Sequence, residues 1–187
     1  MTDSSATVDH LRQVLVTHDP VFVGHLLRVL NDEVKLPDGV TTNRELVVHP
    51  GSVCIVPILE SGDVILVRQW RHAIGGAIWE LPAGTLDHEG EPTIDCAKRE
   101  LQEETGYAAS DWTLLFDGPL CPGYSSEIAW LYSANKLTET TANPEDDEQL
   151  DIKPFSASEL REAIKARQVD VKAIAGLALA GKLPDPL

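Results

Sequence analysis

Glu100, Glu103 and Glu104 stand at i, i+3 and i+4, so on a helix their three carboxylates share one face. The placement is electrostatically poor, because like charges at this spacing repel by roughly 0.2–0.5 kcal/mol per pair and the negative end of the helix dipole adds a similar penalty. A counter-charge is therefore required. Arg99 and Lys98 supply part of it, and a divalent cation, which takes hard oxygen ligands, is the partner that would make the cluster useful; without one it is a solvated acidic face. The helix itself is legible. From Pro92 to Thr105 the apolar residues Ile94, Ala97 and Leu101 recur at three- and four-residue spacing, and Gly106 follows as a helix stop.

Other chemistries find no support in the residues. The six histidines show no ligand spacing such as H-x-x-x-H, Ser125 and Ser126 lack the G-x-S-x-G elbow, and no phosphate-binding G-x-x-x-x-G-K-[ST] loop occurs. Composition excludes more. With 15 Lys plus Arg against 30 Asp plus Glu, a net charge of −15 disfavours nucleic acid and anionic membrane as partners, since both require a basic patch. No secretory signal is expected at Met1–Ser5, and Val53–Leu59 falls far short of the roughly 20 residues that span a bilayer. Cys54, Cys96 and Cys121 are odd in number and lack a C-x-x-C pair, so reduced thiols in a cytoplasmic protein are expected.

The elements that must position the carboxylates surround one core, with no internal repeat. Leu26–Leu36 and Thr42–His49 flank the turn sequence Pro37-Asp38-Gly39, which predicts an N-terminal hairpin, whereas residues 1–20 carry little signal. Ser52–Leu59 and Asp63–Gln69 predict a second hairpin around Glu60-Ser61-Gly62. Beyond the helix come short strand-like runs at Trp112–Phe116 and Ile128–Tyr132, an acidic loop from Thr138 to Gln149, and helical stretches over 157–166, with Ser158 as N-cap, and 169–181. The irregular interleaving favours an α+β fold with a mixed sheet over a doubly wound parallel one.

The residues around the cluster carry a resemblance. Gly84-Thr-Leu-Asp-His-Glu-Gly-Glu91, seven residues, then Arg99-Glu100-Leu101-Gln102-Glu103-Glu104-Thr105-Gly106 resembles the Nudix box, with six residues between Gly84 and Glu91 where the family pattern has five. Arg68-Gln69-Trp70-Arg71, Glu80-Leu81-Pro82-Ala83-Gly84, Pro122 sixteen residues after Gly106, and Asp170-Val-Lys-Ala-Ile-Ala are similar to the ADP-ribose pyrophosphatase branch of that family. The likeness spans about residues 25–180. It implies a Nudix-type α/β/α sandwich with a mixed central sheet, comprising an N-terminal extension over 1–49, whose hairpin would serve dimerisation and is a candidate for exchange between subunits, and a hydrolase domain over 50–187.

The resemblance also implies a reaction: Mg²⁺-dependent hydrolysis of ADP-ribose to AMP and ribose 5-phosphate, with Mn²⁺ a substitute. Other nucleoside diphosphate sugars, such as a GDP-sugar or ADP-glucose, are the alternative substrates, and a non-catalytic nucleotide-sugar sensor is a third reading. Metal ligands would be Glu100, Glu103, Glu104 and the carbonyl of Ala83, and Arg99 would pair with Glu91 to fix loop to helix. Arg71 and then Arg44 suit phosphate, because the guanidinium fork makes bidentate charge-assisted bonds; Arg44 would come from the neighbouring subunit of a homodimer. Glu80 either touches substrate or partners an arginine, and Arg68 faces the other way on its strand. Which of Trp70, Trp79, Tyr124 or Trp130 stacks the base stays open. For the general base Glu148 is placed ahead of Glu145 and Asp147, with Glu103 as the other candidate.

Overall fold

The structure, a computed structural model, describes residues 8–143 and 149–185. The chain forms two compact units, residues 1–50 with 119–127, and residues 51–118 with 128–187.

In the first unit Gly39, at φ 90°, closes a turn in which its N–H donates to the Leu36 carbonyl. That turn joins β3 (Arg28–Lys35) to β4 (Thr41–Val48), which pair antiparallel from Arg28 opposite Val48 to Lys35 opposite Thr41. The other edge of β3 takes both β1 (Val14–Thr17) and β2 (Pro20–Val23), so the region with little sequence signal is also sheet. Segment 119–127 docks on β4 through Val47, whose N–H donates to Tyr124 and whose carbonyl accepts from Ser126. Among the described residues of this unit only Asp32, Val34 and Ser125 are buried.

The second unit is organised around β5 (Ser52–Pro57), every residue of which is buried. It runs parallel to β10 (Ile128–Glu139) and antiparallel to β8 (Ala83–Thr85), giving the mixed order β8-β5-β10-β9 with β9 (Tyr107–Pro119) at the edge. Alternation along β5 sends Val53 and Ile55 to one face, where they pack with Cys96, Ala97 and Leu101 of α1 (Thr93–Thr105) and with Tyr132 and Ala134. Val56 faces α3 (Val171–Leu179), where Gly176 lies so close that a Cβ would meet Leu81 and Val56. Helices thus cover both faces of the mixed sheet. A second, antiparallel sheet has β6 (Val64–Arg71) between β7 (Gly76–Glu80) and β11 (Asp151–Phe155), followed by α2 (Ala157–Lys165).

Several expectations are corrected here. β5 and β6 are joined by the expected turn, but past the Ile58–Val64 bridge they part into different sheets, because β5 is claimed on both edges by β8 and β10. The strands expected at Trp112–Phe116 and Ile128–Tyr132 extend to 13 and 12 residues, since backbone pairing continues through polar positions that apolar periodicity does not mark. The cap of α2 is Ser156 rather than Ser158: the Ser156 side chain accepts from the Glu159 N–H while Glu159 Oε2 accepts from the Ser156 N–H at 2.9 Å.

That reciprocal cap is testable. The Ser156 N–H, with help from Lys153, pulls the Glu159 carboxyl down from 4.5 to about 2. A carboxyl lowered on folding stabilises above its unfolded pKa and loses that contribution as pH falls. Ser156→Ala is expected to cost about 1 kcal/mol in urea unfolding at pH 7. Glu159→Gln is expected to show a shallower decline in stability than the wild type between pH 4.5 and about 2; identical pH profiles would refute the cap's role.

Candidate functional site

The C-terminal half of α1 carries the acidic face. Glu104 is 2% exposed and accepts a hydrogen bond from the Ala83 N–H at 3.1 Å, an interaction that holds a carboxylate inside the fold. Glu100 lies against Gly84 so closely that a Cβ there would land on its carboxylate. The turn Pro82-Ala83-Gly84 therefore brings main chain onto the helix face, and the Pro82 carbonyl is itself fixed by the Ile55 N–H at 2.9 Å.

Arg99 is the cation of this cluster. Its Nη1 donates to Glu100 at 2.7 Å and to Glu103 at 2.9 Å, while Nε and Nη2 reach Glu91 at 3.2 and 3.3 Å. Burial works against the charge on Arg99, yet the Glu91 bond and the Glu100 and Glu103 carboxylates outweigh it and hold the guanidinium protonated. In return the Arg99 bond keeps the Glu91 carboxyl below its usual range. The loop–helix pair expected from the sequence is thus present, and it extends to two of the three carboxylates. Lys98 plays no part, being paired with Asp95 at 2.9 Å.

Arg71 and Glu80 form a second charged pair, on β6 and β7. Register along β6 and β7 puts Val67, Gln69 and Arg71 on the same face as Glu80, and Arg71 bonds Glu80 Oε2 through Nε at 2.8 Å and Nη2 at 2.7 Å. Glu80 is buried beneath that contact. Arg68 is on the opposite face, stacked over Trp79 with its Cζ 5.0 Å from the ring centroid and bonded through Nε to Asp151 at 3.0 Å.

The other predicted residues are distributed as follows. Arg44 belongs to the first unit, where it bonds Gln13 at 3.1 Å and the Asn43 carbonyl at 3.0 Å and lines a cavity of about 950 Å³ with Asn31, Glu45 and Tyr124. Glu148, with Glu145 and Asp147, lies outside the described residues. Of the aromatic residues, Trp79 is committed to an edge-on contact with Phe155 at 4.9 Å and Trp130 packs over Gly51 and against the core, whereas Trp70 and Tyr124 are exposed. The three cysteines are free thiols, and burial pushes that of Cys96 up to about 12. The close approach of Gly84 to Glu100 was not legible beforehand, because nothing in Pro82-Ala83-Gly84 says which helical residue it will meet.

As the side chains are placed, no three His, Cys, Asp or Glu among the described residues are grouped to hold a metal ion. The Arg99 guanidinium stands between Glu100 and Glu103, in the position a cation would take. The donor chemistry suits a hard divalent ion: carboxylate and main-chain oxygens, gathered where Gly84 leaves space for nothing larger than hydrogen.

Two packed helix-on-sheet layers with a glycine-seated carboxylate helix define a class, and the comparisons identify it. The NUDIX domain family model matches residues 48–177, and the chain belongs to that family of hydrolases. It is 36% identical over 166 residues to an ADP-ribose pyrophosphatase of Mycobacterium tuberculosis (strain ATCC 25618 / H37Rv), covering 87% of this chain and 80% of that protein. It is 30% identical over 161 residues to an ADP-ribose pyrophosphatase of Bacillus subtilis (strain 168), covering 85% and 86%. A crystal structure of an ADP compounds hydrolase shares the fold, with a TM-score of 0.81 at 22% identity over 92% of this chain and 94% of that one. Among the described residues no helix is long and apolar enough to cross a membrane.

The geometry makes Arg99 a structural hub. Arg99→Gln removes one charged partner from each of Glu91, Glu100 and Glu103 and, because solvent partly screens these pairs, is expected to lower stability by about 1–2 kcal/mol at pH 7. The deficit should narrow below the usual carboxylate range, where Glu91 takes up a proton. Urea unfolding at pH 7 and at about pH 3 checks both points.

Proposed function

We propose that this protein hydrolyses the diphosphate bond of ADP-ribose to AMP and ribose 5-phosphate with Mg²⁺, Mn²⁺ being an acceptable substitute. The single observation that carries the reading is the convergence of Glu100 and Glu104 on the main chain of Ala83–Gly84, which gathers hard oxygen donors at one place. The kinship to proteins named ADP-ribose pyrophosphatase points to the substrate. Glu100, Glu103, Glu104 and the Ala83 carbonyl would hold Mg²⁺, which when bound neutralises diphosphate charge and makes water a better nucleophile.

The chain's own residues do the rest. Arg71, clamped on one edge by Glu80, presents its remaining donors to a phosphate. Glu80 in this reading orients Arg71 and lines the substrate path. The attacking water loses its proton to Glu148, the proposed general base, with Glu103 as the alternative. Phosphate oxygens stay with the two products, one of which gains the hydroxyl and the other the proton. Pyrophosphatase action on another nucleoside diphosphate sugar uses the same diphosphate machinery and is the second reading.

The protein is proposed to act in the cytoplasm as a homodimer. The first unit buries only Asp32, Val34 and Ser125 among its described residues while Val14, Leu15, Val16, Val21, Phe22 and Val23 are all exposed, too little core for a sheet to stand alone. A second copy would cover those strands, and Arg44 is proposed to serve the partner's substrate. Light scattering is expected to give twice the chain mass at micromolar concentration; a fully active monomer would refute the assembly.

The function is tested with a panel of nucleotide sugars and Mg²⁺, products being identified. ADP-ribose is expected to be cleaved fastest, and preference for a GDP-sugar would shift the reading to the alternative. Glu104→Gln keeps an oxygen for the Ala83 N–H but loses charge, so kcat should fall roughly 10²-fold or more and Mg²⁺ should no longer raise the Tm, with the metal-free fold retained. Glu148→Gln should lose about 10²–10⁴ in kcat with KM little changed, and Glu145→Gln should stay near wild type.

A further inference from the structure

Helix ends leave carbonyls without intrahelical partners, and in α1 the Glu103 carbonyl is one of these. Gly106, in the left-handed conformation at φ 71°, turns its N–H back to the Gln102 carbonyl and satisfies that one. The Glu103 carbonyl is instead satisfied from outside the helix. The Asn143 N–H donates to it at 3.0 Å, and the Thr140 N–H donates to the Gly106 carbonyl at 2.6 Å. The segment after β10 is thereby laid along the end of α1, so close that a Cβ on Gly106 would sit 3.1 Å from the Ala142 nitrogen.

We propose that the Asn143 backbone N–H is a positioning group for the carboxylate face, and the inference rests on the function proposed above. Two physical effects converge on it. The bond fixes the peptide of Glu103 from one side while Arg99 fixes its carboxylate from the other, so that residue is held at both ends. In addition, a donor at the C-terminus of a helix opposes the partial negative charge that Glu100, Glu103 and Glu104 already meet there. Without the donor, the last turn frays outward and the three carboxylates lose their common setting. The side chain of Asn143 has no part in this; only the N–H does.

Proline and alanine separate the two. Asn143→Pro removes the N–H and Asn143→Ala keeps it. With ADP-ribose and Mg²⁺, Asn143→Pro is expected to lower kcat about 10-fold with KM within twofold and to raise the Mg²⁺ concentration for half-maximal rate, whereas Asn143→Ala stays within twofold of wild type on all three. Equal behaviour of the two variants, whether both active or both impaired, overturns the proposal. Amide exchange of the wild-type protein, read without any variant, must show Asn143 protected comparably to Gly106; free exchange at Asn143 overturns it even if Asn143→Pro fails to fold. Should the wild type cleave no nucleotide sugar, the proposed function fails separately, and the positioning role is decided by the Mg²⁺-dependent rise in Tm. Asn143→Pro must lose that rise and Asn143→Ala must keep it.

Discussion

Arg99 is the interaction on which the site depends. Four carboxylates, Glu91, Glu100, Glu103 and Glu104, are gathered at the negative end of one helix and its preceding loop, and a chain of net charge −15 offers little general relief. One guanidinium reaches three of them, and the Ala83 N–H donates to the fourth. Lysine would not replace it, since a single ammonium lacks a planar fork that can span a loop on one edge and two helix positions on the other. The acidic face is thus held together by a cation of the chain's own.

Much of that face was legible in the sequence because helical spacing alone places Glu100, Glu103 and Glu104 together, while the Arg99–Glu91 pair was an expectation of the resemblance. The mixed sheet with helices on its faces was legible for another reason: strands and helices interleave without a regular strand-helix-strand repeat. What could not be read is tertiary. The division of β5 and β6 between two sheets depends on which strands compete for the edges of β5, and both winners, β8 and β10, come later in the chain. The Ser156 cap was missed for a local reason, two serines two residues apart with only one at the N3 distance from Glu159.

The first unit shows the opposite balance. Its hairpin is announced by Pro37-Asp38-Gly39, but β1 and β2 are short strands whose residues are all exposed, so no alternation distinguishes an inner from an outer face. Periodicity is a record of burial, and strands that bury nothing within their own unit leave none. Asp32, one of the few buried residues of this unit, meets His18 Nδ1 at 2.7 Å.

Strand parity divides the labour of β6. Arg68 and Arg71 are three positions apart, an odd separation that sends them to opposite faces. On one face Arg68 lays its guanidinium over Trp79 and gives its Nε and Nη2 donors to Asp151, which ties β11 to the sheet and leaves little for a ligand. On the other, Arg71 gives only its Nε–Nη2 edge to a single oxygen of Glu80. Glu80 is buried and therefore immobile, so it fixes the plane of the guanidinium while the Nη1 side stays open among the described residues. An arginine held along one edge has already given up most of its rotamer freedom, and a phosphate meeting the free edge is spared that entropic cost. Glu80 thus partners the arginine and fixes the direction of its free edge, the edge that meets a phosphate in the proposed function.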